Sequence, residues 1–571
     1  MEASRADDLI ERARTGSTRP GPARLVLAIG MVVSAILALT LGSHASFTVD
    51  EYSWISLSAD FSLGEAFDAY VGHLIAIPKL IYWIVLELVG IPGYAVFQLL
   101  TLASLFLMVG LLFAFLRKRV PDFVALAPCL VLLVFPVDHL HYLTGNGIAI
   151  SLALAFGIAA LLAWDRGSQS GDWWAFAFLI LGICTYTVAV PFAIGLLAVA
   201  IFRSEDRRRA WVPAIPLVAY AIWRVVAASG GVESETGSTD WANLFLLPAW
   251  TFQSLGAVLA ALTGLGFDFS NVAGGPASEQ GRLVGPAFAV AALLALAWRV
   301  RLGRMPIGFW VVGAALLALF ASQVLVWGTL DARDPGAPRY LLPGAVLVVM
   351  VALEAARGLG WTRAAFSGLW IVAAASLLIS IGILARNTEW LETVELGAKA
   401  EITAVQILAG STKEPLPPTE QPRDRIRSEF DPAKAAAYGN LGFSEVGLAS
   451  QPGWVGKRVD DFLAESLRLG LNPLRPGTVP TGCRPAEPGR FAPYSTKLRL
   501  SGSGAVLRAT GELDLTLGRY GGWASVELGP MAPGAVRKLW LPDDGGTTDW
   551  FIQATPEGSG SLADLEICDF S

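Results

Sequence analysis

Three short segments of this sequence carry residue types able to do chemistry. The first, Phe47-Thr48-Val49-Asp50-Glu51-Tyr52-Ser53-Trp54, sets two adjacent carboxylates among aromatic residues. A carboxylate at the rim of a cavity can take a proton from a hydroxyl, or hold a divalent cation beside a phosphate. A solvated loop would carry the same residues. The second segment, Pro136-Val137-Asp138-His139-Leu140-His141-Tyr142, brings an acid together with two of the chain's four histidines. Asp and His side chains bind metals, relay protons and contact phosphates. The segment offers no third zinc-type ligand, which disfavours zinc catalysis, and interface-seeking His and Tyr are the plain alternative. The third, Ala337-Pro338-Arg339-Tyr340-Leu341-Leu342-Pro343, places an arginine before an apolar run. Its guanidinium can clamp a phosphate with forked donors, or anchor with Tyr340 at a headgroup layer. His73 and Lys79, at the start of another apolar stretch, are further phosphate contacts or snorkelling residues. Arg224 lies inside an apolar run and must face protein or a cavity, because charge toward lipid is costly.

The elements that position these segments belong in a membrane. The 571 residues are 54% hydrophobic and only 16% charged, against roughly 25% charged in soluble chains. The mean hydropathy is +0.54. An ordinary soluble enzyme and a disordered chain are excluded. The net charge of −6 and the scattered basic clusters exclude a nucleic-acid footprint. The run from Leu25 to Leu41 is too long and too far from the start for a cleaved signal and reads as a signal anchor. Further spans are expected near 93–116, 122–136, 146–164, 173–187, 188–203, 210–228, 284–303, 307–328, 341–357 and 364–384. With about eleven spans and a cytoplasmic N-terminus, the clusters at Arg117–Arg119, Arg203–Arg209, Arg299–Arg304 and Arg357–Arg363 all fall inside. That arithmetic requires His73 to Val89 and Asn243 to Phe267 to be in-plane or re-entrant helices at the outer face. The alternative is about thirteen full spans.

The composition changes after Arg386. Residues 388–410 have the spacing of an amphipathic helix, with Trp390, Leu391, Val394, Leu396 and Ile402 on its apolar face. Glu414 to Pro422 reads as a proline-rich linker. Residues 483–571 alternate with period two: Leu513, Leu515 and Leu517 point one way, Glu512, Asp514 and Thr516 the other. Runs at Trp523–Leu528, Val536–Leu541 and Trp550–Ala554 extend the pattern, which predicts an antiparallel β-sandwich. Cys129 and Cys184 lie in apolar runs, whereas Cys483 and Cys568 lie in this last region, on the exterior side, where a disulfide between them is expected. The expected organisation is a cytoplasmic tail over 1–23, a polytopic α-helical membrane domain over 24–385, a helix and linker region over 386–482, and an extracytoplasmic β-sandwich over 483–571, a candidate carbohydrate-binding module.

Acids after the first span and after the third, in-plane helices between spans and an Arg-Tyr pair before a late span all fall on the exterior side. This arrangement resembles the GT-C superfamily of polytopic glycosyltransferases, over roughly residues 24–384. The resemblance implies about 11–13 spans, a polyprenyl-phosphate-linked sugar as donor, and a catalytic acid in the first exterior loop. Asp50, with Glu51 beside it, stands at that acid, and Asp138 stands where a second-loop acid is often found. Arg339-Tyr340-Leu341-Leu342-Pro343 resembles a segment found near the lipid phosphate. The exterior β-domain is similar in placement to those of actinobacterial cell-envelope arabinosyl- and mannosyltransferases. No motif of the oligosaccharyltransferase type is present.

The resemblance implies transfer of the sugar to a cell-envelope glycan or glycolipid, with inversion at the anomeric carbon. Asp50 acts as general base, and Arg339, with or without a divalent cation (Mg2+, Mn2+ or Ca2+), steadies the departing phosphate. Tyr520, Trp523, Trp540 and Trp550 are the aromatic residues able to stack on sugars or to fill the sandwich core. Two rival functions stay open, a lipid-linked sugar flippase or solute transporter, and a non-catalytic membrane-anchored glycan-binding protein. Transporters favour internal repeats and mid-bilayer charges, neither of which is evident.

Overall fold

The structure, a computed structural model, describes residues 21–91, 94–136, 142–229, 240–265, 279–325, 335–411, 432–435, 438–474, 480–486, 496–500, 504–521, 526–541, 548–556 and 564–569. The helices run in chain order as α1 (Pro22–Leu41), α2 (Val49–Ser58), α3 (Ala76–Val89), α4 (Ala95–Leu116), α5 (Asp122–Leu132), α6 (Ile148–Trp164), α7 (Gln169–Thr185) and α8 (Val190–Phe202). They continue as α9 (Trp211–Ser229), α10 (Leu247–Leu262), α11 (Glu279–Leu302), α12 (Ile307–Val324), α13 (Pro338–Ala355) and α14 (Arg363–Ser411). Three short helices, α15 (Pro432–Ala435), α16 (Glu445–Leu448) and α17 (Gly453–Ser466), precede the strands. The chain divides into two compact units, one of Met1–Phe47, Phe61–Val85 and Pro92–Glu392, the other of Thr48–Asp60, Leu86–Ile91 and Thr393–Ser571.

Unit one is helical. Among the described residues, eight helices are long and apolar enough to cross a membrane: Pro22–Leu41, Ala95–Leu116, Gly145–Trp164, Arg207–Ala227, Trp241–Leu262, Val284–Arg301, Ile307–Val324 and the helix over Arg363–Leu408. The other expected spans fall on α5 with 11 residues, α7 with 17, α8 with 13 and α13 with 18. Trp241–Leu262 has spanning length, where the charge arithmetic asks for an in-plane helix. The stretch from His73 yields only the 14-residue α3. Lipid gives helices little hydrophobic reason to associate, so close backbone approach has to supply the contact. Gly195 on α8 faces the Val311 carbonyl of α12, and Gly256 on α10 meets Gly285 on α11, so a side chain at any of these glycines would separate the helices.

The basic clusters meet at one end of these helices. Arg119 pairs with the fully buried Glu354 at the end of α13 and, at 2.7 Å, with Asp165 after α6. Arg209 donates to the Trp164 carbonyl at 2.8 Å and bonds Asp172 at the start of α7. Arg299 donates to the Ala355 carbonyl at 2.6 Å, and its other arm reaches the Arg357 carbonyl. Four clusters far apart in sequence thus share one end of unit one. At the opposite end, Gln98 donates to the carbonyls of Gly42 (2.8 Å) and Leu143 (2.9 Å).

In unit two the strands are β1 (Leu471–Pro473), β2 (Thr481–Pro485), β3 (Thr496–Leu500), β4 (Gly504–Ala509), β5 (Leu513–Gly518), β6 (Val526–Met531), β7 (Val536–Trp540), β8 (Trp550–Pro556) and β9 (Leu565–Asp569). They form a five-stranded sheet in the order β1-β7-β4-β9-β2 and a four-stranded sheet in the order β3-β8-β5-β6, with antiparallel pairing throughout. Leu513, Leu515 and Leu517 are fully buried, as the alternation requires. A disulfide joins Cys483 on β2 to Cys568 on the adjacent β9. The buried Asp460 carboxylate of α17 accepts the main-chain N–H groups of Arg519, Tyr520 and Gly521, all at 2.9 Å, and so pins the loop after β5 to that helix. The stretch over 388–410 is not a separate helix: with no proline between Arg363 and Ser411, α14 runs on unbroken for 49 residues. The proline-rich stretch at 414–422 lies outside the described residues.

Candidate functional site

The acidic pair sits on α2 in unit two. Thr48, in extended backbone, is the N-cap, and Asp50 and Glu51 fill the first turn, where negative charge suits the helix dipole. Glu51 is fully buried, and its Oε2 accepts from both the N–H and the hydroxyl of Thr48 at 2.9 Å. That is the reciprocal half of a capping box, worth about 1 kcal/mol. From Glu51 to Ser58 every side chain but Leu57 is buried, whereas Asp50 is partly exposed. The two acids therefore occupy different environments: one closes the helix start and the other reaches the surface. Burial pushes the Tyr52 phenol up, and the carboxylates of Glu395 and Glu51 push it further, so it stays a neutral hydroxyl.

The other end of α2 is held by a residue the sequence does not single out. The Tyr438 hydroxyl donates to the Ser58 carbonyl at 2.8 Å and lies 3.2 Å from Glu87 Oε1. No local pattern signals this contact, because 380 positions separate its partners.

In unit one, Lys79, His73 and Arg224 converge on the loop over 61–75. Lys79 on α3 is 4% exposed and donates to the carbonyls of Glu65 (3.1 Å) and Asp68 (3.0 Å). Loss of hydration lowers its ammonium to about 8, against the opposing pull of Asp68 and Glu65. The Trp223 indole N–H donates to the Phe67 carbonyl at 2.7 Å, and Arg224 donates to the Gly72 carbonyl at 2.8 Å. Arg224 thus faces protein, as a charge within an apolar run must. His73 lies before α3 rather than on it, because a two-residue turn precedes the helix. Tyr70 and His73 exchange both main-chain hydrogen bonds across Val71 (φ 47°) and Gly72 (φ 73°). A β-branched residue rarely adopts such a φ, and Lys79, Trp223 and Arg224 hold the loop around the turn through their hydrogen bonds to its carbonyls. His73 Nδ1 is 2.9 Å from Thr187 Oγ1, and its ring packs on Tyr186.

Arg339 and Tyr340 open α13 in unit one. Arg339 is exposed in the first turn, its guanidinium 5.1 Å from the Tyr340 ring. Leu341 and Leu342 are buried and hold the turn. A cation at a helix N-terminus adds to the positive end of the dipole, which makes this an electropositive point suited to an anion.

Asp138, His139 and His141 lie outside the described residues. Among the described residues, no group of three or more His, Cys, Asp or Glu side chains could hold a metal ion. Of the candidate aromatic residues in the sandwich, Trp550 is buried under the Arg519 guanidinium, Tyr520 is partly buried and Trp540 is half exposed. Trp523 lies outside the described residues.

No protein-family model matches the chain, and no curated protein matches it. The chain is similar to solved structures of ArnT from Cupriavidus metallidurans. With ArnT bound to undecaprenyl phosphate the identity is 14% and the TM-score 0.43, over 68% of this chain and 81% of that one. With ArnT in the apo state the identity is 14% and the TM-score 0.44, over 69% of this chain and 82% of that one.

Proposed function

We propose that this chain is a membrane glycosyltransferase that moves a sugar from a polyprenyl-phosphate donor to a cell-envelope glycan or glycolipid on the extracytoplasmic side. The observation that supports the reading is the difference between the two acids of α2, where the buried Glu51 bonds the helix start and Asp50 is partly exposed. Asp50 takes the proton of the acceptor hydroxyl as its oxygen attacks the anomeric carbon. The bond from that carbon to the phosphate oxygen breaks, and polyprenyl phosphate leaves with the electron pair. Arg339 meets the charge that develops on the leaving phosphate. A single displacement with one base and no covalent intermediate inverts the anomeric carbon.

Two further observations support the orientation. Basic clusters gathered at one end of unit one support a cytoplasmic placement of that end under the positive-inside rule. The disulfide of unit two suits an oxidising, extracytoplasmic compartment. Among the described candidate aromatics of the sandwich, the half-exposed Trp540 is the one open to stack on a sugar of the acceptor.

The test is incubation of the purified full chain in lipid nanodiscs with a panel of sugars linked to undecaprenyl phosphate, the carrier named for the ArnT structure. Release of undecaprenyl phosphate from at least one donor is expected, and release from none would contradict the proposal.

A further inference from the structure

Unit two gathers three separate stretches of chain, Thr48–Asp60, Leu86–Ile91 and Thr393–Ser571. Tyr438, from the third, touches the other two: its hydroxyl donates to the Ser58 carbonyl and lies beside the Glu87 carboxylate. Ser58 is the last residue of α2. Its carbonyl is one of the four that a helix leaves without an intrahelical donor. A ten-residue helix is too short to persist on its own propensity, so its ends have to be held. Thr48 and Glu51 hold the start, and Tyr438 holds the finish.

Residues of α15 add to this anchoring. Ala435 of α15 is fully buried, and Lys434 pairs with Asp60 just beyond α2 at 2.9 Å. Both partners of that ion pair are well exposed, so it adds little. Burial and the Glu87 charge raise the Tyr438 phenol to about 12, which keeps it a hydrogen-bond donor at neutral pH.

We infer that Tyr438 is a positioning residue: it fixes the C-terminal turn of α2 and, through that rigid helix, the placement of the Asp50 carboxylate at the opposite end. The catalytic half of this statement rests on the proposed role of Asp50. The two ends of α2 are about 15 Å apart, so a tilt of about 4° moves Asp50 by about 1 Å. A displacement of that size is enough to cost a catalytic group most of its effect. The C-terminal region is thereby part of the catalytic apparatus as well as a candidate glycan-binding module.

The test uses the full chain in nanodiscs and the Tyr438→Phe variant, which keeps the ring and removes the donor. Amide hydrogen exchange over residues 54–60 should quicken about five-fold, the loss of one hydrogen bond, while β4, β5 and β8 keep wild-type protection. Unchanged exchange over 54–60, or an increase spread evenly over unit two, overturns the clamp whatever the activity. Glu87→Gln keeps the Ser58 contact and should leave exchange within about two-fold of wild type, as should Lys434→Ala, whose ion pair is exposed. A five-fold rise in either variant would assign the clamp to another residue.

The activity arm measures release of undecaprenyl phosphate from an undecaprenyl-phosphate-linked hexose. Tyr438→Phe should lower kcat about ten-fold or more, with the donor KM within about two-fold. Combined with Asp50→Asn, it should cost nothing further, because both changes disable one group. Additive losses would overturn the route through Asp50. Full activity in Asp50→Asn alone would refute the general base while leaving the exchange result to decide the clamp.

Discussion

Glu51 Oε2 stands 2.9 Å from both the main-chain nitrogen and the hydroxyl oxygen of Thr48, so the two neighbouring acids of this segment do different work. The Glu51 carboxylate is held at the helix start by these two donors. Its neighbour Asp50, one residue earlier, is partly exposed and is the acid to which the proposal gives the acceptor proton.

Glu51→Gln keeps an oxygen that accepts from Thr48 and should leave transfer within about three-fold of wild type, since Gln serves in capping boxes as Glu does. Glu51→Ala should instead lower stability by about 1–2 kcal/mol, read as a fall in the apparent unfolding midpoint. Abolition of transfer by Glu51→Gln, with the midpoint unchanged, would give Glu51 the chemical role.

Lys79 gives a pH signature of its own. Burial lowers its ammonium to about 8 in the folded protein, whereas an unfolded chain titrates near 10.4. Between those values the unfolded state binds more protons, so stability rises with pH across that window, and the burial penalty is present in full below it. The neutral amine keeps two N–H donors for the Glu65 and Asp68 carbonyls. The unfolding midpoint of the wild type, relative to Lys79→Met, should therefore climb from about pH 8 to pH 10. A flat or falling difference would contradict the buried, desolvated lysine.

The Cys483–Cys568 bridge closes a loop of 85 positions. In the chain-entropy model, loop closure makes such a bond worth about 4.5 kcal/mol. Replacing both cysteines by serine should lower the midpoint of unit two markedly, and reductant should lower the wild-type midpoint while leaving that of the serine variant unchanged. Equal midpoints with and without reductant would show that the bridge contributes nothing.

Much of this architecture is legible in local pattern. The ends of α1, α4, α6 and α12 follow from apolar runs of membrane length, and β5, β7 and β8 follow from strict alternation. The capping box is legible too, because Thr48 and Glu51 have its spacing. Around Trp241–Leu262 the charge arithmetic and the apolar length pull in opposite directions. The helix there has the length to cross a membrane. The helix α14 outruns its apolar stretch because nothing in its sequence breaks it. The Tyr438 contact with Ser58 and the Lys79 and Arg224 contacts with loop carbonyls leave no local mark. A carbonyl acceptor has no residue type, and the donors come from distant parts of the chain. Arg224 was readable only as a charge that must be satisfied, and its partner emerges with the turn at Val71 and Gly72.

The central claim is that the Asp50 carboxylate removes the acceptor proton. The most direct measurement is transfer by membranes carrying Asp50→Asn, an isosteric change that removes the base and leaves the helix start intact. The rate of polyprenyl phosphate release should fall by about 10²–10⁴-fold, the usual contribution of a general base, with the protein folded and the donor still bound. Transfer at the wild-type rate would contradict the account.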